Sequence, residues 1–390
     1  MLRDWSITAW MTGFLAVLIS YSGPLVIFIQ AAQVGGMSDE MLSSWIWAIS
    51  IGAGVSGIAL SILLKTPIIT AWSAPGTALL LHLFPEITMP EVVGAYLTAA
   101  IITTIIGLSG YFERIVKFVP QGIAAAMIAG ILFQFGIQAF VASSDLPGVV
   151  MAMIAVYLLA RRFIPKFTVI LVAITGFACV IVLDLATLSE LKIALAQPVF
   201  TLPEFSLSVF FSFTIPLVVV SLTGQFLPGL VILRLDGYQQ PSRAIVGGTS
   251  LISIITAFFG GISIVLAAIT AALCTGKESH PDPKKRYVAG IANGVFYLIG
   301  GTFAGTIVLL FNAIPSAVVA ALAGLALISA IVANLRLLSA NASYIEPAVI
   351  TFLVTASNMS IGGMGSAFWG IVLGMVAYWI SGFRKVEKEA

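Results

Sequence analysis

Charged side chains are scarce: Asp, Glu, Lys and Arg make up 9% of the 390 residues, against about a quarter in a soluble domain. A water-soluble fold must cover itself with polar surface, and this composition cannot supply it. The 18 basic and 16 acidic residues leave a net charge of +2, too weak a field to recruit nucleic acid. Cysteine is nearly absent. Cys179 and Cys274 both lie in apolar stretches without a partner at metal-ligand spacing, so they read as small buried hydrophobes rather than a disulfide or a metal site. The two histidines, His82 and His280, are far apart and form no H-x-x-x-H pair. No nucleophile–base pair and no metal cluster stands out, so an enzyme is not expected and no cofactor is called for. A cleavable signal is missing too. Arg3 and Asp4 precede an uncharged stretch from Trp5 to Met37, longer than the roughly 7–15 apolar residues of a signal peptide.

What the chain has instead is apolar length. Hydrophobic residues make up 60% of it and the mean hydropathy is +1.11, so its solvent is lipid. Charges, Pro and Gly divide it into fourteen spans, near 6–32, 43–64, 67–83, 91–112, 120–141, 148–160 and 167–185, then 206–233, 243–258, 262–275, 287–311, 315–335, 345–359 and 364–383. With the N-terminus in the cytoplasm, seventeen of the 18 basic residues fall on the cytoplasmic side and only Lys192 falls outside. That asymmetry is the positive-inside rule, and a single missed span would destroy it. Twelve or sixteen spans would need very long or very short helices. Seven spans per half is an odd number, so two such halves insert with opposite topology. The polar stretch 186–205, with Pro198 and Pro203, marks the boundary. The expected organisation is a first repeat at 1–190, a linker at 191–205 and a second repeat at 206–390.

The halves echo each other weakly. Ser20-Tyr21-Ser22-Gly23-Pro24 resembles Ser221-Leu222-Thr223-Gly224-Gln225, and the stretch 67–80 can be laid on 261–274. Short, Gly/Pro-interrupted segments at matching places in inverted repeats point to a transporter's binding site. In the third span, Ile68, Ile69 and Thr70 favour extended backbone. Ser73 can then cap a helix whose first turn holds Pro75, where a missing N–H would lack a partner anyway. That helix would begin halfway across the bilayer and run to His82. Extended backbone at that depth is tolerated only where protein or a cavity surrounds it. The tenth span, Gly260-Gly261 followed by Ile262 through Ala272, is expected to break by analogy with the third. Two half-helix starts facing each other would offer N–H groups and positive dipole ends to an anion. The first, third, eighth and tenth spans hold no Asp, Glu, Lys or Arg away from their ends, which argues against a carboxylate relay.

Ala71-Trp72-Ser73-Ala74-Pro75-Gly76, Gly224-Gln225-Phe226-Leu227-Pro228-Gly229, Leu233-Arg234 with Gly237-Tyr238, and the run 267–274 together resemble the benzoate–proton symporter family. The segments His280 to Tyr287 and Pro315 to Ala326 resemble it as well, so the likeness covers nearly the whole chain. That family is similar in fold to the uracil and sulfate permease group. The resemblance implies an all-α polytopic membrane protein of 14 transmembrane segments as two inverted 7-segment repeats. It also implies short strands before half-helices in segments 3 and 10, and core and gate domains each drawn from both repeats. One departure stands out. Uracil-type members carry acidic residues on segments eight and ten, where this chain has Gln225, Ser263 and Thr270.

The candidate substrate-binding residues are Tyr21, Ser22 and Pro24 of segment one, and Trp72, Ser73, Ala74, Pro75, Gly76 and Thr77 of segment three. Gln225 and Phe226 of segment eight join them, with Ala267, Ala268, Ile269 and Thr270 of segment ten. Backbone N–H groups of segments three and ten and the Gln225 amide would take a carboxylate, and Tyr21, Trp72 and Phe226 could sandwich an aromatic ring. Each has a packing alternative: a Pro kink, small-residue helix contacts, an interhelical amide bond, a core aromatic. His82 reads as a headgroup histidine, and Glu113–Arg114, Arg234–Asp236 and Lys284-Lys285-Arg286 read as loop charges that set topology. The expected function is a secondary transporter importing an aromatic carboxylate such as benzoate with protons by alternating access. A nucleobase or inorganic-anion carrier, or an anion channel, on the same scaffold are the alternatives. The expected partners are the benzoate-like anion, protons and the lipid bilayer, with no nucleic acid and with a homodimer as the assembly considered. The expected location is the bacterial inner (cytoplasmic) membrane, with both termini cytoplasmic.

Overall fold

The computed structural model describes residues 4–84, 86–187, 191–268, 270–340 and 344–389, with the side chains of His82 and of residues 382–389 outside the description. The fold is mostly helical, polytopic and of membrane type. Among the described residues, seven helices are long and apolar enough to cross a bilayer: Ile7–Val34, Asp39–Leu64, Met89–Ser109, Gln121–Ser144, Pro165–Val182, Leu207–Leu235 and Ser316–Leu338. The bent pair Pro283–Thr302 and Ala304–Asn312 makes an eighth if counted as one span. Shorter apolar helices, Ser242–Ala257, Ile345–Ala356 and Ser366–Ser381, fall where further spans were expected.

Local chemistry accounts for the ends of these helices. Ser38 accepts from the Met41 N–H at 3.2 Å, and Thr88 forms a reciprocal capping box with Glu91, each satisfying donors that a helix start leaves bare. Gly23 interrupts the first long helix, and Pro24 opens its second half. The expected single span 287–311 is instead bent by 65°. The cause is the stretch 191–205, which carries no helix or strand and docks on the bend. The Ala194 N–H donates to Thr306 Oγ1 at 2.9 Å, while Thr306 N–H donates to Ala194 O at 3.1 Å and Ala196 N–H to Thr302 O at 2.9 Å. A chain inserted into a helix ladder is a standard cause of a sharp kink.

The loop charges also need correction. Glu113 and Arg114 lie in a short helix, Phe112–Phe118, and Arg234, at the end of the helix Leu207–Leu235, forms an ion pair with Glu113 at 3.5 Å. Arg286 is not a solvated loop charge. It is 5% exposed, and donates through Nε to His280 O at 2.8 Å and through Nη1 to Thr275 O at 2.7 Å, capping the carbonyl end of the helix Ala271–Thr275. Beside it, Asp4 accepts from the Tyr287 hydroxyl at 3.0 Å, which holds its carboxyl below the usual carboxylate value.

The interior is organised by two three-residue strands. β1 (Thr70–Trp72) pairs antiparallel with β2 (Ile264–Leu266), with Thr70 opposite Leu266, Ala71 opposite Val265 and Trp72 opposite Ile264. The ladder extends at both ends, through Ser73 N–H to Ser263 O at 3.0 Å and Ala267 N–H to Ile69 O at 2.9 Å. Both strands are almost fully buried, so their outer edges must find partners inside the protein. Hydroxyls supply them. Ser61 Oγ accepts from the Ile68 N–H at 3.1 Å and donates to Ile68 O at 3.3 Å, Thr70 Oγ1 donates to Ala53 O at 2.7 Å, and Ser253 Oγ accepts from the Ile264 N–H at 2.8 Å. Ser61 comes from the helix Asp39–Leu64 and Ser253 from Ser242–Ala257, so the two helices flank the pair from opposite sides.

Ser61→Ala leaves the buried Ile68 carbonyl without its donor, while the Ile68 N–H keeps Thr66 O at 2.8 Å. It is expected to cost about 1–3 kcal/mol and to lower the melting temperature of the detergent-solubilised protein. Ser109→Ala, at an exposed helix end, is expected to leave it unchanged; equal shifts for the two variants would contradict this account of the strand edges.

Candidate functional site

β1 runs directly into a ten-residue helix, Ala74–Leu83, whose N-cap is Ser73. This helix starts inside the packed interior, because the strand pair has already carried the chain there. Its N-terminal donors divide unequally. The Ser73 N–H belongs to the strand ladder, and the Gly76 N–H donates to Ser73 Oγ at 3.2 Å. The Thr77 N–H donates to Ser73 O at 2.9 Å, and the Thr77 hydroxyl to the same carbonyl at 3.0 Å. Pro75 has no N–H. Among the described residues Ala74 N–H alone keeps no acceptor, so the helix start offers a single free donor rather than a crown of them.

The helix Leu207–Leu235 lies against this start. A Cβ placed on Gly76 would sit 2.4 Å from Leu217 Cδ1, 2.8 Å from Ser73 Oγ and 3.1 Å from Ile262 Cδ1. Only a hydrogen fits there. The same helix contains two π turns, Phe210–Thr214 and Leu222–Phe226. Each ends two residues before a proline, Pro216 or Pro228. The missing proline N–H leaves the carbonyl four residues earlier, on Ser212 or Gly224, without its helical donor, and the ladder re-registers. Such π turns recur at functional positions. Gln225 sits in the second one, which lies against β2, and its Oε1 is buried without a hydrogen-bond partner.

Segment ten differs from its expected form. Its helix is only Ala271–Thr275, so Ala267 and Ala268 precede it. Ala267 N–H is committed to Ile69 O, because the strand pairing runs one residue further than the sequence suggests. Ala268 N–H has no acceptor among the described residues. Thr270 is buried at the helix start without capping it through its side chain, and Ile269 lies outside the described residues.

The aromatic candidates pack on one another. Tyr21 and Trp72 are stacked at 6.0 Å with an interplanar angle of 27°, and Tyr297 stands edge-on to both at 5.8 Å. The Tyr21 hydroxyl shares a 2.7 Å hydrogen bond with Ser50 Oγ, whereas Trp72 Nε1 and the Tyr297 hydroxyl are buried without partners. Phe226 is 1% exposed in the main core, away from this trio's ring contacts. Ser22 closes the helix Ile7–Ser22 with its hydroxyl on Ile19 O at 3.2 Å, and Pro24 opens the next helix. The structure thus brings Trp72 and Ser73 together with β2, packs the start of the Ala74–Leu83 helix on Leu217, sets the π turn of Gln225 against β2, and gives Tyr21 a partner in Trp72.

A cavity of about 230 Å³ lies at the other end of the Ala74–Leu83 helix. Leu79 and Leu83 line it, with Ser206, Ser212, Thr355 and Ser366, and Glu86 and Glu91 also border it. Leu79 is five residues from Ala74, about 7.5 Å along the helix axis, so the cavity stops well short of the helix start. Sequence reasoning missed the cavity and its serines. It also passed over Ser221 and Ser263 as site members, although both carry buried hydroxyls without partners. The available signal was a hydroxyl inside an apolar span, which is too common in membrane helices to select a site unaided.

The family model described as "Benzoate membrane transport protein" matches residues 3–380. The chain belongs to the benzoate membrane transport family. It is 54% identical over 378 residues to the benzoate membrane transport protein of Acinetobacter baylyi, covering 97% of this chain and 96% of that one. It is 36% identical over 368 residues to the inner membrane protein YdcO of Escherichia coli, covering 94% of each. Among solved structures it resembles the transmembrane domain of a cyanobacterial bicarbonate transporter, BicA, with a TM-score of 0.54, 17% identity and 98% of each chain covered. It also resembles the murine Slc26a9 anion transporter, with a TM-score of 0.59, 15% identity, and 97% of this chain and 68% of that one covered. At those identities the structural likeness establishes the fold alone. Family membership makes this a membrane transport protein and not an enzyme.

Two substitutions separate backbone approach from side-chain chemistry at the helix start. Gly76→Val drives carbon into Leu217 and Ser73 and is expected to abolish transport. Thr77→Val removes a hydroxyl already bonded within its own helix and is expected to change initial uptake by no more than about fivefold, the worth of one neutral hydrogen bond. Wild-type uptake by Gly76→Val would contradict the reading.

Proposed function

We propose that the protein is a secondary active transporter that imports an aromatic carboxylate such as benzoate together with protons. The observation that carries this reading is the helix Ala74–Leu83, which begins at the end of a buried strand pair with no charged side chain from Ser73 to Thr77. A carboxyl group docks there on the Ala74 N–H and the Gln225 amide, with Ala268 N–H and the Ser221 and Ser263 hydroxyls as further neutral partners. The ring packs against Trp72 and Leu217, both buried in this structure, which part to admit it. The 54% identical relative is named a benzoate membrane transport protein, which supports the substrate class.

The remaining architecture follows the two-repeat plan: fourteen segments, with residues 1–190 and 206–390 as inverted repeats joined by 191–205, and a core that rocks against a gate. The distribution of basic residues supports cytoplasmic termini, an orientation in which the cavity at Leu83 opens outward, and the relative named an inner membrane protein supports the bacterial inner membrane. The structural neighbours are described as bicarbonate and anion transporters, which favours an inorganic anion as the second reading. Sulfate and bicarbonate should be tested as competitors beside uracil.

The direct test is labelled benzoate uptake into proteoliposomes with an imposed pH gradient. Accumulation that rises when the outside is made acidic is expected; uptake indifferent to the gradient, or none, would overturn the proposal. Gln225→Ala is expected to raise the apparent KM about tenfold, the scale of a lost buried hydrogen bond, while the protein still elutes as a folded species. An unchanged KM would remove Gln225 from the site.

A further inference from the structure

We infer that the species held at this site is the uncharged aromatic carboxylic acid, so that the co-transported proton travels on the substrate's own carboxyl group. This rests on the transport reading above and goes beyond it by naming the protonation state that binds.

Three independent observations point the same way. The first is the donor inventory. Ser73 to Thr77, Leu222 to Phe226 and Ser263 to Ala268 contain no Asp, Glu, Lys, Arg or His. The helix start that should serve an anion has most of its N–H groups already bonded, leaving Ala74. An ionised carboxylate taken out of water needs a countercharge or several strong donors, and an unpaired one is among the costliest groups to bury. A neutral acid needs only one or two hydrogen bonds. Arg286, the one buried guanidinium among the described residues, is engaged by two carbonyls at the opposite end of the Ala271–Thr275 helix.

The second is the unpartnered acceptor. Gln225 Oε1 is buried with nothing donating to it. A carboxylate has no proton to give and would set one lone pair against another. A carboxylic acid fits a primary amide on both sides: its O–H donates to Oε1, and its C=O accepts from Nε2–H. The amide's two polar atoms are thereby satisfied by one ligand group, which an ionised carboxylate, an acceptor only, cannot do.

The third is the approach. The cavity at the Leu83 end is bordered by Glu86 and Glu91, and among the described residues no Lys or Arg lines it. An anion entering there meets like charge, and the neutral acid does not.

The proton balance closes without a protein carrier. The acid binds with its O–H bond intact, crosses in the site, and ionises in cytoplasmic water to benzoate and a proton. Tyr21, Tyr297 and Cys274 lie in adjacent helices, but no carboxyl or imidazole is needed from the protein.

The test is competition against labelled benzoate uptake by the full-length protein in proteoliposomes, with two probes of fixed charge. Benzamide is neutral at every accessible pH and offers the same carbonyl acceptor and an N–H donor. Benzenesulfonate is an anion at every accessible pH. Benzamide is expected to inhibit at or below the total benzoate concentration that half-saturates uptake, and benzenesulfonate is expected to leave uptake unchanged even at about a hundredfold excess. Gln225→Leu, checked for folding by gel filtration, is expected to weaken benzamide inhibition about tenfold or more. Failure of benzamide to compete, or competition by benzenesulfonate, overturns the inference while leaving benzoate transport intact. Wild-type protein that takes up no benzoate at all removes the transport reading itself.

Discussion

The structure depends on one backbone crossing. Two strands of three residues pass each other in antiparallel register inside an apolar interior, and each supplies the hydrogen bonds the other would lack. Lipid cannot satisfy extended backbone, so neither strand could exist alone. The crossing is completed from outside by Ser61 and Ser253, whose hydroxyls meet backbone groups that the two-stranded ladder cannot reach, while the Thr70 hydroxyl ties β1 to Ala53 O of the neighbouring helix. Because the pair is anchored there, a helix can begin at Ala74 in the middle of the packed protein rather than at its surface.

The same pairing limits what the site can bind. Extending the ladder through Ser73 and Ala267 strengthens the crossing but removes two N–H groups from ligand chemistry. Ser73 takes a third through its own cap. What is left is neutral: the N–H groups of Ala74 and Ala268, a glutamine amide in a π turn, and the Ser221 and Ser263 hydroxyls without partners. Such a set discriminates by hydrogen-bond pattern rather than by charge, and it suits a substrate that can arrive without charge. The prolines at 216 and 228 contribute by forcing the ladder of the long helix to re-register, which turns Gln225 out of regular helical spacing.

Much of the interruption in segment three was legible because its signals are local. Ile68, Ile69 and Thr70 favour extended backbone, and Ser73 followed by Pro75 marks a helix start within a residue. Segment ten was read through its likeness to segment three, and there the helix begins later than expected, since nothing in Ala267 to Thr270 reveals that the strand ladder continues to Ala267. The bend at Phe303 was illegible for a different reason: its cause is a tertiary contact with Ala194 and Ala196, more than a hundred residues away. Arg286 was misread because three consecutive basic residues look like a solvated run, and only the fold shows that the third turns inward onto Thr275 and His280. The stacking of Tyr21 on Trp72 likewise requires the packing of segment one against β1, which no local pattern encodes.

The most direct test of the central claim is a ligand-bound map of the protein with 4-iodobenzoic acid, whose heavy atom fixes the ring and so the carboxyl position. The account places the carboxyl group within hydrogen-bond distance of Ala74 N and the Gln225 amide, with the β1–β2 ladder intact. A carboxyl group found against a basic side chain, or a ligand confined to the cavity at Leu83 with Gln225 Oε1 still unpartnered, would contradict it.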